Sequence, residues 1–407
     1  MTFRVLMLAL AGGTAVASVA KADPVTYKGT LGMSDIVVEF TADPSAGEPV
    51  AGRYAYASQG VDIPLQPKTG GRTLTLDEEA PCGSSCPEGE PGPVGATWTL
   101  STADDGGTLT GQWAGAKTHE IRLTRVGARR VEGEQPTTPR QLADFSFMAF
   151  YANDTPITID TSPYDFLKLD VPMQDGAVEG WPDASFRYVV DPRTKFPMPR
   201  IVEPAGGAST EAANAVLWQR HAKSSLAALS CASMQYSGFQ ENGQVPDVEG
   251  GSLGGFDGST STVLALTTRL MSWTESGSVY CGGAHPHNYG NSYTMNVATG
   301  ALLGLGDMFS DVVDGKPGAN LLAFVELKRG KPSGQVAIDF EEQCGTGALI
   351  ADYLVAKVRR EGDELSIVFG LQDLPHAINA CGDDVMRIPV AEVEPLLKPD
   401  FAALLGK

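Results

Sequence analysis

The chain has 407 residues, six cysteines and a formal net charge of −19. That length gives room for two domains with a core each, and the acidity argues against partners that are nucleic acids or anionic membranes, which it would repel. No Walker loop, dinucleotide glycine fingerprint or H-E-x-x-H run occurs, so those nucleotide and zinc-protease chemistries have no basis in the sequence.

Residues 1–22 read as an export signal. Arg4 is a short basic start, Val5 opens an apolar stretch, and Ala20-Lys21-Ala22 fits the small-x-small cleavage rule. Cleavage there removes Arg4 and Lys21 and no acid, which moves the net charge from −19 to −21. The expected location is the periplasm or outside the cell, with no transmembrane segment in the mature chain. All six cysteines, Cys82, Cys86, Cys231, Cys281, Cys344 and Cys381, lie in the exported part. An even number in an oxidising compartment predicts disulfides, and sequence proximity favours Cys82–Cys86, Cys231–Cys281 and Cys344–Cys381.

Residues 23–128 read as an all-β meander or small barrel. Short alternating runs recur at 25–31, 36–40, 52–56, 61–65, 73–76, 97–100, 108–113 and 121–123, separated by Gly and Asp clusters. Closing such a meander would remove its exposed edges. The inward side chains could fill the interior or leave room for a small ligand. Residues 79–94 are rich in Pro, Gly and Ser and read as an irregular loop carrying Cys82 and Cys86. Residues 129–140 have no apolar period and read as a linker.

Residues 141–407 read as an α+β domain with a mixed or antiparallel sheet and several helices. Strands are expected at 145–150, 166–171 and 186–190. A helix follows at 211–232, with Val216, Leu217, Ala222, Leu226 and Leu229 on its apolar face. The match to G-x-S-x-G at Gly250 to Gly254 lacks the strand before and the helix after that the chemistry needs, so it reads as a loop. A strand pair is expected at 262–273 and 278–281. Helices are expected at 319–328 and 348–359, strands at 365–369 and 386–389, and a closing helix with Val393, Leu396 and Leu397.

The stretch most able to carry a site is Cys281-Gly282-Gly283-Ala284-His285-Pro286-His287. The two glycines permit a tight turn, and Pro286 holds His285 extended. Three roles stay open: His285 bonded to a loop backbone near Asp307, His285 in contact with a partner, or a metal held by His285, His287 and His376. Two imidazoles in an extended segment, with no third ligand close in sequence, weaken the metal reading.

Beyond this corner the chain enters a strand at 292–297 and then Thr299-Gly300-x-x-Leu303-x-Leu305-x-Asp307-Met308-Phe309. With Gly282-Gly283-Ala284-His285-Pro286, this run resembles domain of unknown function family 3298. That family forms the extracytoplasmic C-terminal domain of RsiV-type anti-sigma factors and accompanies some peptidoglycan deacetylases. The likeness is best over 262–398 and looser over 160–260. It implies an envelope module that binds rather than catalyses, and in RsiV-like relatives the domain recognises lysozyme. This chain has neither a cytoplasmic anti-sigma segment nor a deacetylase signature, and residues 376–384 replace the family's usual aromatic and small residues. The expected function is therefore a non-catalytic envelope binding protein without a cofactor. Its partner would be a lysozyme-like or other cationic cell-wall protein, or peptidoglycan, met through His285, His287, Asp307 and His376. Two other classes stay open: a hydrolase of cell-wall glycan using acids or histidines near the turn, and a small-ligand carrier using the N-terminal barrel.

Overall fold

The structure is a computed structural model that describes residues 23–406 apart from 83–91, 104–105, 205–208, 241–255, 282–286, 330–340 and 383. Eight antiparallel strands come first: β1 (Val25–Leu31), β2 (Ser34–Phe40), β3 (Gly52–Tyr56), β4 (Asp62–Thr69), β5 (Thr73–Glu79), β6 (Val94–Thr102), β7 (Thr108–Ala114) and β8 (Thr118–Ala128). Each pairs with the next, and β8 returns to β1, so the expected meander is a closed barrel. Alternation sets its inside. Leu74, Leu76, Trp98, Leu100, Leu109, Ile121 and Leu123 point inward with Tyr27, Val38, Phe40 and Tyr54 and form one buried core.

One inward position is a carboxylate. Glu78 Oε2 accepts from Tyr54 Oη at 2.9 Å, Trp98 Nε1 at 2.8 Å and Trp113 Nε1 at 2.7 Å. Three aromatic donors on three strands thus share one acceptor, which fixes their rings relative to one another. Burial raises the Tyr54 phenol well above its ordinary pKa, and the Glu78 charge adds to this.

The chain after the barrel departs from two sequence expectations. Residues 145–150 do not form a strand. They continue helix α1 (Pro139–Phe147) into a π-helical turn, Met148–Ala152. The N-terminal signal is local: Thr138 accepts from Gln141 N at 3.2 Å, with Pro139 in the first turn. Residues 166–171 are not a strand either, because α2 (Pro163–Leu169) occupies them, again with proline at its start. Its Tyr164 and Lys168, four residues apart, are both buried against the barrel.

The rest of the second half is helices on small antiparallel sheets. Strands β9 (Gln174–Trp181), β10 (Ala184–Val190) and β11 (Pro197–Pro204) form one sheet, ordered β11-β10-β9. Helix α3 (Glu211–Ser233) follows, close to its expected span. Strands β12 (Phe256–Leu266), β13 (Leu270–Val279) and β14 (His287–Asn296) form the next sheet in chain order. The β12–β13 turn falls at 267–269, inside what was expected to be a single strand, where Thr267 Oγ1 accepts from Leu270 N at 3.0 Å. Tyr188 joins the two sheets, its hydroxyl accepting from Val263 N at 3.2 Å.

After a two-residue ribbon, β15 (Val312–Val313) with β16 (Lys316–Pro317), come helices Ala319–Arg329 and Thr346–Tyr353. The second helix stops short of the expected 359. Leu354 and Val358 instead belong to β17 (Leu354–Glu361), which pairs with β18 (Glu364–Leu371), itself paired with β19 (Asp384–Pro389). Buried positions four apart serve a strand as well as a helix, and full pairing with β18 decides for the strand. Short helices Val390–Val393 and Pro399–Leu404 close the chain over a core of Met308, Phe309, Leu321, Ile350, Ile367 and Phe369.

The barrel and the helices after it share a buried charged seam. Glu39 and Arg53, opposite each other on β2 and β3, point away from the barrel core and are covered by α1 and α2. Arg53 reaches Glu39 at 2.7 Å, Asp62 at 3.2 Å and Asp165 at 3.6 Å. Arg129 bonds Glu39 at 3.1 Å and also Asp165, and Lys168 bonds Asp62 at 2.8 Å. Ser146 of α1 accepts from Arg53 at 2.8 Å and donates to Asp165 at 2.9 Å. Three cations therefore face three carboxylates, and the Arg53 guanidinium stacks 4.3 Å from the Tyr164 ring. Burial alone would raise the Asp165 carboxyl, but the charges of Arg129, Arg53 and Lys168 outweigh it and hold the group below the usual carboxylate range.

Candidate functional site

The corner lies between neighbouring strands. β13 and β14 pair without a break from Leu270↔Asn296 to Val279↔His287, so Val279 and His287 stand side by side at one end of an antiparallel sheet. His285 falls within 282–286, outside the described residues. His287 begins β14, and His376 begins the 3-10 helix His376–Cys381. These two segments meet: Asn379 Nδ2 donates to the Asn288 carbonyl at 2.6 Å. Asp307 lies elsewhere. It follows β14 after a reversal that bridges Leu302 back to Met295, near the end of the strand away from His287. Its Oδ2 accepts from Gly304 N at 2.9 Å and completes a helix cap. The structure thus brings together the segments that begin at His287 and His376, and Asp307 follows the other end of β14.

Two covalent ties hold the corner. Cys231–Cys281 joins the last turn of α3 to the second residue past β13. Cys344–Cys381 closes the 3-10 helix that carries Asn379. Cys82 is disulfide-bonded as well; the expected partner, Cys86, lies outside the described residues.

Behind the hairpin, α3 is clamped to β13 by groups that no motif singles out. Arg220 Nε and Nη2 donate to Glu275 Oε1 at 2.6 Å and Oε2 at 2.8 Å. The same guanidinium lies 3.6 Å over the Tyr293 ring, and Trp273 Nε1 donates to Glu275 Oε1 at 2.8 Å. Burial pushes the Tyr293 phenol up to about 12, with Glu275 adding to the rise and Arg220 opposing it. Every group here is spent on a neighbour, so the cluster positions the hairpin and presents no free acid, base or nucleophile.

A cavity of about 480 Å³ opens beside the corner, between α1, the end of α3 and Val279. Phe147, Phe150, Leu226 and Phe239 form its walls, Cys281 reaches its rim, and Asp62, Asp165 and Ser146 of the seam face it. Its volume is that of a small-ligand site. Phe147, 60% exposed, opens the apolar run Phe147-Met148-Ala149-Phe150. Among the described residues no group of three His, Cys, Asp or Glu side chains is placed to hold a metal ion.

No family model matches the chain, and no curated protein matches it. Among solved structures it is similar to a member of the DUF3298 family from Bacteroides fragilis. The two are 15% identical, the match covers 58% of this chain and 95% of that one, and the TM-score is 0.28.

Proposed function

We propose that the protein is an exported, non-catalytic binding protein whose acidic surface takes a cationic protein of the cell envelope, with lysozyme-like hydrolases as the leading partner class. One observation carries the reading. Most of the described lysines and arginines already face a carboxylate of the same chain, including the buried Arg53, Arg129, Lys168 and Arg193. The surplus behind the net charge of −19 is therefore carboxylate left for solvent or for a partner. The resemblance of the Gly282–Phe309 run to family 3298 supports the same class. Two disulfides support an oxidising location, and no helix among the described residues is long and apolar enough to cross a membrane.

The test is capture of lysozyme by the immobilised full chain at low and high salt. Screening shortens to ~10 Å at 0.1 M salt, so charge-steered binding is strongest well below that. Retention at low salt that is lost at high salt is expected. No retention at low salt overturns the lysozyme reading.

A further inference from the structure

Strand β9 is the edge of its sheet, and no described strand pairs with its outer side. Gln174 to Gly180 are all exposed, and only Trp181 is partly covered. One side pairs with β10; on the other, no described backbone group bonds to it. Edge strands of this length are usually blunted by lysine, proline or a strong bulge. The sequence Gln-Asp-Gly-Ala-Val-Glu-Gly-Trp has neither residue, and the pairing with β10 carries one register shift, between Arg187 and Val189.

The register says which groups are free. Trp181 and Ala184 flank a two-residue turn and form the first pair of the ladder. Hydrogen-bonded and non-bonded pairs then alternate, so Glu179 bonds inward to Phe186 while Val178 and Gly180 direct N–H and C=O to the open edge. The shift adds a residue to β9, so Asp175, opposite Val189, and Val178, opposite Arg187 and 54% exposed, share one face, and Glu179, opposite Phe186, lies on the other. Asp175 pairs with Arg187, while no described cation pairs with Glu179.

We propose that β9 is a docking edge for an extended, lysine- or arginine-bearing segment of the partner, which adds as a fourth strand to the sheet β11-β10-β9. The sign of that segment's charge rests on the function proposed above; the mode, backbone addition, rests on the edge alone. Main-chain bonds to Val178 and Gly180 would supply affinity, and basic side chains would reach Asp175 on one face and Glu179 on the other. A second copy of the chain fits less well, because it would lay another strand with the same two acids against this one, between molecules that each carry −19.

The probe is a synthetic nine-residue peptide of Lys and Val with lysines on both faces of the extended chain, titrated into the full chain at low salt. Binding is expected, and it should weaken about tenfold or more when the peptide nitrogens facing β9 are N-methylated. A peptide with Glu for Lys should bind at least about tenfold more weakly. Val178→Pro removes one outward N–H without touching the ladder to β10, so it should abolish the effect of N-methylation and leave the circular dichroism unchanged. If Val178→Pro disturbs folding, the methylated and unmethylated peptides on the unaltered protein decide. Equal binding of those two peptides overturns the proposal and leaves simple charge capture. Lysozyme capture that survives Val178→Pro at full strength overturns edge docking while the cationic-partner reading stands. Absence of binding by both the peptide and lysozyme overturns both. Self-association that Val178→Pro abolishes would assign the edge to a second copy and likewise overturn the proposal.

Discussion

The Arg53 guanidinium of the barrel and the Asp165 carboxylate of α2 lie 3.6 Å apart with about 1% of either side chain exposed. Removing one member of such a set strands its partners in a medium that solvates them poorly. Arg53→Ala should therefore cost about 3–5 kcal/mol in urea denaturation. Arg53→Ala with Glu39→Ala should cost less than the sum of the single changes, because the charge stranded by each is removed with the other. A loss under about 1 kcal/mol for Arg53→Ala would show that the seam does not hold the two halves together.

His221 of α3 is 1% exposed, with Nε2 3.0 Å from the Phe196 carbonyl and Nδ1 3.3 Å from Arg200 Nη2. Burial, with the neighbouring Arg200 charge, pulls its pKa down to about 4. An unfolded histidine titrates near ~6.5, so between those values the unfolded chain binds more protons. Stability from this group is whole above pH ~6.5 and falls as pH drops toward ~4, by at most about 3 kcal/mol. The urea midpoint should be lower at pH 5 than at pH 7.5, and His221→Phe should flatten that difference. Asp165, whose folded pKa is depressed, should add a further loss only in more acid solution, below the ordinary carboxylate range.

Inside the barrel, Glu78 can be replaced in two informative ways. Glu78→Ala leaves three aromatic donors without an acceptor and should cost about 3 kcal/mol or more. Glu78→Gln keeps an acceptor oxygen and should cost about half as much. Trp98 and Trp113 both bond this carboxylate, so tryptophan emission should shift in each variant. An unchanged spectrum and midpoint in Glu78→Ala would remove the carboxylate from the account of the barrel core.

The two described disulfides close loops with sequence separations of 50 and 37 residues. On the chain-entropy account each contributes about 4 kcal/mol. Cys231→Ser with Cys281→Ser should lower the urea midpoint accordingly, and so should the Cys344 and Cys381 pair. Thiol titration of the unaltered, denatured protein should find none of these four sulfurs free. Four titratable thiols would overturn both pairings.

The barrel was legible because its strands keep a strict period of two over residues such as Leu74, Leu76, Trp98 and Leu100. The corner itself, Gly282 to Pro286, lies outside the described residues. The seam was not legible, because Glu39 and Arg53 alternate with core residues as solvent-facing charges do, and no local pattern reveals that α2 will cover them. The apolar run through Phe147 and Phe150 fitted a strand as well as a helix, and the deciding signal was the Thr138 cap just before it. Strand β9 was missed for the opposite reason: with both faces exposed, it has no apolar alternation to betray it.

The hairpin base at Val279 and Asn288 is gripped from two sides, by α3 through Cys281 and by the Cys381-closed turn through Asn379. Ordering a segment costs conformational entropy. Here that cost is met when the sulfurs oxidise, so a reduced copy should hold Val279 and Asn288 in a slacker frame.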